Sequence, residues 1–166
     1  MPILLGIPII ALAVILQSTL LSRITLLSGT ADLVLLIVAC WAMQEGVEDE
    51  WAWAIIAGLL AASISALPVW LPLAGYLSLT ALAIYLKKRV WQIPLLALVL
   101  VVFSGTLLID MLTFVTLRIT GSPIEFGQAL NLIILPGILL NLLLALPVNA
   151  VVGEIAGWLY PGDQEA

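Results

Sequence analysis

Histidine is absent from the 166 residues, cysteine occurs once, and charge is scarce, with five Lys or Arg against ten Asp or Glu. Without histidine, neither a serine–histidine dyad nor a histidine-based metal site can be built. The single cysteine, Cys40, lies in an apolar run with no intrachain partner, so it reads as a packing residue and says nothing about redox compartment. The basic residues form no stripe and the aromatics no platform, which argues against nucleic acid as a partner. No glycine-rich phosphate loop is present. An intramembrane aspartyl protease would need a second carboxylate converging on Asp110, and no matching motif occurs. Catalysis is therefore not expected, and neither is a cofactor or a metal.

What fills the chain instead is apolar: 64% of residues are hydrophobic, 9% are charged, and the mean hydropathy is +1.28. No water-soluble domain of this size could cover so much apolar surface. A span needs roughly 20 apolar residues to cross a core of about 30 Å, so about six spans fit with little left over. The runs are continuous rather than alternating, which favours helices over a barrel. The expected fold class is an all-α integral membrane protein, one polytopic domain over residues 1–166. The opening Met1-Pro2-Ile3-Leu4-Leu5 lacks the positive region of a signal peptide and reads as a retained first helix.

The expected spans cover about 2–21, 31–44, 51–67, 73–86, 91–117 and 127–152. Arg23 sits just beyond the first. Thr30 is the expected N-cap of the second, with Asp32 in its first turn, where the helix dipole favours an anion. An acidic run, Glu45 to Glu50, follows; it reads as a solvated turn or as an attachment point for a basic partner. The third span opens on Trp51 and Trp53, expected at the interface, and stops at Pro68. The fourth ends in Lys87-Lys88-Arg89, the one basic cluster. The fifth begins near Trp91 and carries Asp110, and the sixth contains Pro136 and Pro147, where kinks are expected. Placing Lys87, Lys88 and Arg89 in the cytoplasm puts both termini there and leaves Arg23 and Arg118 outside, a bias of three against two.

Three groups of residues invite a functional reading. Ala54, Gly58, Ala62 and Ala66 form a small-residue stripe on the third helix, suited either to packing within the chain or to docking a partner's helix. Asp110 lies inside the fifth helix, where a charge costs about 2.5–3.5 kcal/mol on insertion scales. Arg118, Thr106, Thr113 or the asparagines of the last helix could offset it. It reads as a structural anchor or as a proton or ligand site. Gln17, Asn131, Asn141 and Asn149 are intramembrane amides expected to face protein, and the prolines free carbonyls that amides or water could satisfy.

The order of these features resembles the MreD family, the small polytopic component of the bacterial rod-shape system. The resemblance runs from Leu16-Gln17-Ser18 to Leu159-Tyr160-Pro161. Gly29-Thr30-Ala31-Asp32-Leu33-Val34-Leu35-Leu36-Ile37-Val38 is similar to the family's Pro-Asp-Leu opening of helix 2, with Ala31 in place of the usual proline. Gly58-Leu59-Leu60 and Leu73-Ala74-Gly75-Tyr76 resemble the segment joining helices 3 and 4, although Ser63 and Ser65 stand where the family often carries an acidic residue. The closest resemblance is Leu135-Pro136-Gly137-Ile138-Leu139-Leu140-Asn141-Leu142-Leu143-Leu144-Ala145-Leu146-Pro147, which follows the family's proline, asparagine, proline pattern.

The resemblance implies a non-catalytic scaffold in the bacterial inner membrane. Its implied partner is the bitopic MreC, and with it MreB filaments and the SEDS/class B penicillin-binding synthase of peptidoglycan. The implied six-helix fold is similar to the substrate-binding components of energy-coupling-factor vitamin transporters. That supplies the alternative function, small-molecule binding near Asp110 and the asparagines. A membrane hydrolase dependent on Asp110 is a third possibility.

Overall fold

The computed structural model describes residues 2–19, 25–26, 28–89 and 93–160; Leu21, Arg23, Trp91 and Pro161 lie outside them. The described residues are mostly helical and form six helices. They are α1 Pro2–Thr19, α2 Leu33–Met43, α3 Glu50–Ile64, α4 Trp70–Arg89 and α5 Pro94–Ile119, followed by α6 Phe126–Leu159. A π-helical segment, Leu130–Ile134, interrupts α6. Three helices, α4, α5 and α6, are long and apolar enough to cross a membrane, and the other three are shorter.

Helix α2 occupies the centre. Its eleven residues contain no charge and are apolar on every side, the pattern of a helix buried all round. Accordingly α1, α3, α4, α5 and α6 all pack against it. At 1.5 Å per residue it is only about 16 Å long, roughly half a hydrocarbon core. Its start differs from the expected one: Asp32, not Thr30, is the N-cap, its Oδ1 accepting the Leu35 amide at 3.0 Å. Thr30 is held elsewhere, in a two-stranded antiparallel ribbon of Thr25–Leu26 and Gly29–Thr30 that pairs Thr25 with Thr30.

That ribbon packs on the π-helical segment, and the reason is a missing donor. Pro136 has no N–H to give the carbonyl four residues earlier, that of Leu132. The Ser28 amide donates to Leu132 O instead, at 2.9 Å. A backbone group, rather than the expected side-chain amide or water, thus serves the carbonyl that Pro136 leaves without its helical donor. Pro147 lies within α6, which continues as one helix past Val152 to Leu159.

Other boundaries also move. Helix α3 ends at Ile64, three residues early, because Ser65 turns extended and its hydroxyl accepts the Leu67 amide at 3.1 Å, a local turn that competes with the helix. Ala66 therefore lies beyond the helix that was to carry it. Helix α4 starts at Trp70, with Pro72 in its first turn, where a missing N–H is tolerated. Helix α5 starts at Pro94 and continues to Ile119.

Gly29 is where the ribbon meets α6 most closely. A Cβ there would stand 2.6 Å from Gly137 N and 2.6 Å from Ile133 O, both backbone atoms that cannot rotate away. Gly127, by contrast, has nothing within 4 Å of such an atom. Gly29→Ala should lower stability by about 1–3 kcal/mol, the scale of overpacking, whereas Gly127→Ala should not. Thermal unfolding in detergent, read by size-exclusion recovery, compares the two; equal midpoints would contradict this packing.

Candidate functional site

The polar side chains of this apolar bundle gather at the two ends of α2. At the N-terminal end, Asn141 on α6 accepts the Asp32 amide on Oδ1 at 2.7 Å. The Asn141 amide nitrogen donates to Thr106 Oγ1 on α5 at 2.9 Å, and that hydroxyl donates to Val102 O at 2.8 Å. Gln17 on α1 accepts the Val34 amide at 3.2 Å. Tyr76 on α4 donates to Asp32 Oδ2 at 3.4 Å. Helices α1 and α6 thereby serve early amides of α2 that have no intrahelical acceptor, while α4 reaches the same turn through the Asp32 carboxylate and α5 through Asn141. Asn141 is 1% exposed and Thr106 3%, and both lie near the middle of their long helices.

Asp110 stands beside this cluster without joining its hydrogen bonds. Its Oδ2 would lie 3.7 Å from a Cβ on Gly137. The expected partners are engaged otherwise: Thr106 with Asn141, and Arg118 with Ile124 O at 3.4 Å. Asp110, Arg118 and Ser122 instead line one cavity of about 60 Å³. At about 10–15 Å³ per water, that is room for a few molecules that could hydrate the carboxylate.

At the other end of α2, Lys87 donates to Gln44 O, a cation at a helix C-terminus where the dipole favours it. Gln44 Nε2 donates to Cys40 O at 3.3 Å and to Asn149 Oδ1 at 3.2 Å. Asp49 accepts both Trp41 Nε1 at 3.1 Å and Trp53 Nε1 at 3.3 Å, and the two indoles stack with centroids 3.9 Å apart. Tyr160 packs nearby, 6.4 Å from Trp41. Burial first, and then the Asp49 carboxylate, push its phenol up to about 12, so near neutral pH it is a hydrogen donor.

No family model, no curated protein and no solved structure matches the chain.

The sequence-derived residues separate accordingly. Gln17, Asn141 and Asn149 face protein and are bonded there. Asn131 does not: it is exposed, on the outer side of the π-helical segment near the start of α6. Trp53, expected at the interface beside Trp51, is turned inward by its Asp49 bond and is 1% exposed. Of the basic cluster, Lys87 points inward while Lys88 and Arg89 stay exposed. Ala54 and Gly58 are buried, and a Cβ on Gly58 would meet Leu73 Cα of α4 at 2.9 Å, so this part of the stripe is used within the chain. Ala62 is half-buried and Ala66 exposed.

Tyr76, Gln44, Asp49 and Ser28 were not singled out by sequence as bonding residues.

Asn141→Ala would orphan the Asp32 amide and remove a partner of Thr106. At about 1–3 kcal/mol for a buried group left unsatisfied, it should be clearly destabilised, while Asn131→Ala should stay within about 0.5 kcal/mol of the parent. Denaturant titration in a fixed micelle measures both. At the opposite end, Lys87→Met should cost more than Lys88→Met, since only Lys87 caps α2; indistinguishable midpoints in the same titration would count against that capping.

Proposed function

We propose that the chain is a multi-pass scaffold of the bacterial cytoplasmic membrane, acting in the cell-shape and elongation machinery in the manner of the MreD family. In this reading the bundle crosses the bilayer six times. The second crossing is made by α2 together with the ribbon of Thr25–Leu26 and Gly29–Thr30, since α2 alone reaches about half the core. Irregular backbone at membrane depth is tolerable where protein surrounds it, and Gly29 and Ala31 are both buried. The end bearing Lys88 and Arg89 faces the cytoplasm. The partner is a bitopic MreC-like protein, and through it MreB filaments and the SEDS/class B penicillin-binding synthase.

The observation that carries this reading is the position of Asn141. It is the asparagine of the Pro136, Asn141, Pro147 pattern on which the resemblance is strongest, and its amide ties α2, α5 and α6 together. Its hydrogen-bonding atoms are thereby taken up inside the chain, which suits a residue that holds helices in place. Gln17 and Tyr76 are engaged with the same turn.

A second reading, a vitamin-binding transport component, draws support from the short helix that begins beside Asp110 in the bundle interior, a feature associated with transporter binding sites. The cavity at Asp110 is about 60 Å³, against roughly 300–1,000 Å³ for typical small-molecule pockets, which weighs towards the scaffold.

The deciding experiment is mild extraction after co-expression with a single-span protein carrying a coiled coil and a β-rich periplasmic domain. Stoichiometric co-purification is expected. Recovery of the chain as an isolated monomer would argue against the scaffold, and a small molecule retained in native mass spectrometry, lost in Asp110→Asn, would establish the transport reading instead.

A further inference from the structure

An apolar groove runs between α1 and α6 with α2 as its floor. One stretch of about 330 Å³ is lined by Ile9, Leu16, Leu33 and Val151 among others. Past Ile155 it continues into a stretch of about 300 Å³ bordered by Leu5, Glu154 and Trp158. Along α1 it extends from Leu5 to Leu16, roughly 16 Å at 1.5 Å per residue, or about half of a ~30 Å hydrocarbon core. Its inner end stops at Leu33, the first residue of α2, next to the Gln17 bond to Val34. Its outer end carries the Glu154 carboxylate and the Trp158 indole, which is 90% exposed. Among the described residues no basic side chain lines either stretch.

We propose that this groove seats one acyl chain of a phospholipid whose headgroup ends in a free ammonium, a phosphatidylethanolamine, with the ammonium against Glu154. Two observations select this occupant. The groove is about one leaflet long, from Leu5 to Leu16 along α1, which matches an acyl chain ending near the bilayer centre; a spanning helix from another chain needs twice that length. The carboxylate at the mouth attracts a cationic headgroup and repels an anionic one, while an exposed indole is at home among headgroups. The site rests on placement in a bilayer and is independent of the scaffold role, so either can fail without the other.

The test uses the full chain in bilayers of equal phosphatidylethanolamine and phosphatidylglycerol, with retained lipid counted by native mass spectrometry. One retained phosphatidylethanolamine is expected, favoured over phosphatidylglycerol by roughly two- to fivefold, the scale of one exposed ion pair. Glu154→Lys should reverse the preference. Val151→Trp, which fills the groove from an exposed position, should lose the retained lipid while helical circular dichroism is unchanged. Equal retention of the two lipids by the parent, or no reversal in Glu154→Lys, overturns the proposal. So does a cross-link from Val151→Cys to another protein chain. Glu154 is exposed and lies outside the core, so its variant decides the matter even if Val151→Trp does not fold.

Discussion

A helix that starts inside an apolar bundle exposes amides that nothing local can accept, and in a bilayer water does not make up the deficit. Helix α2 begins under this constraint. Asp32 accepts the Leu35 amide, Gln17 accepts the Val34 amide, and Asn141 accepts that of Asp32 itself. Because these acceptors come from the cap residue, α1 and α6, satisfying one turn of backbone fixes the relative depth of three helices. Thr106 and Tyr76 extend the same registration to α5 and α4. Apolar packing in lipid offers little depth specificity, since a neighbouring helix is no more apolar than a lipid tail. Directed hydrogen bonds supply it.

The C-terminal end of α2 is registered by different chemistry. Lys87 caps the Gln44 carbonyl, and Asp49 gathers two stacked indoles. This is the end with more charge, and a single carboxylate there gives α3 its inward tryptophan. Between the two ends α2 has only apolar side chains and a cysteine, so its lateral contacts are close packing while its axial position is polar. The ribbon of Thr25–Leu26 and Gly29–Thr30 follows the same logic on the far side, where the carbonyl that Pro136 leaves without its helical donor is met by the Ser28 amide and Gly29 allows the approach.

Much of this was legible from composition and spacing. Continuous apolar runs and few charges are enough to predict apolar helices, three of which are long enough to cross a membrane, and the absence of histidine leaves no histidine-based chemistry. The inward role of Gln17, Asn141 and Asn149 was also readable, because an amide in an apolar run has few other places to go. Less legible were the residues whose fate depends on a neighbour. Asn131 and Asn141 are the same residue type on the same helix, ten positions apart, yet one is exposed and the other buried. Trp51 and Trp53 differ likewise, and Lys87 differs from Lys88, since adjacent helix positions face different ways.

The sequence by itself determined the element type and the apolar character of the helices, since those follow from period and from summed hydropathy, which are properties of the chain alone. It also marked an irregularity at Pro136, because a missing N–H acts locally, but it set the N-cap of α2 at Thr30, two residues before Asp32. Only the tertiary structure decided which donors meet which acceptors: that Asn141 serves Asp32, that Ser28 serves Leu132, and that Asp110 is left beside a small cavity with neither Thr106 nor Arg118 as its partner. Partners separated by 35 to 109 residues are brought together by the order in which helices stack, and no local pattern encodes that order.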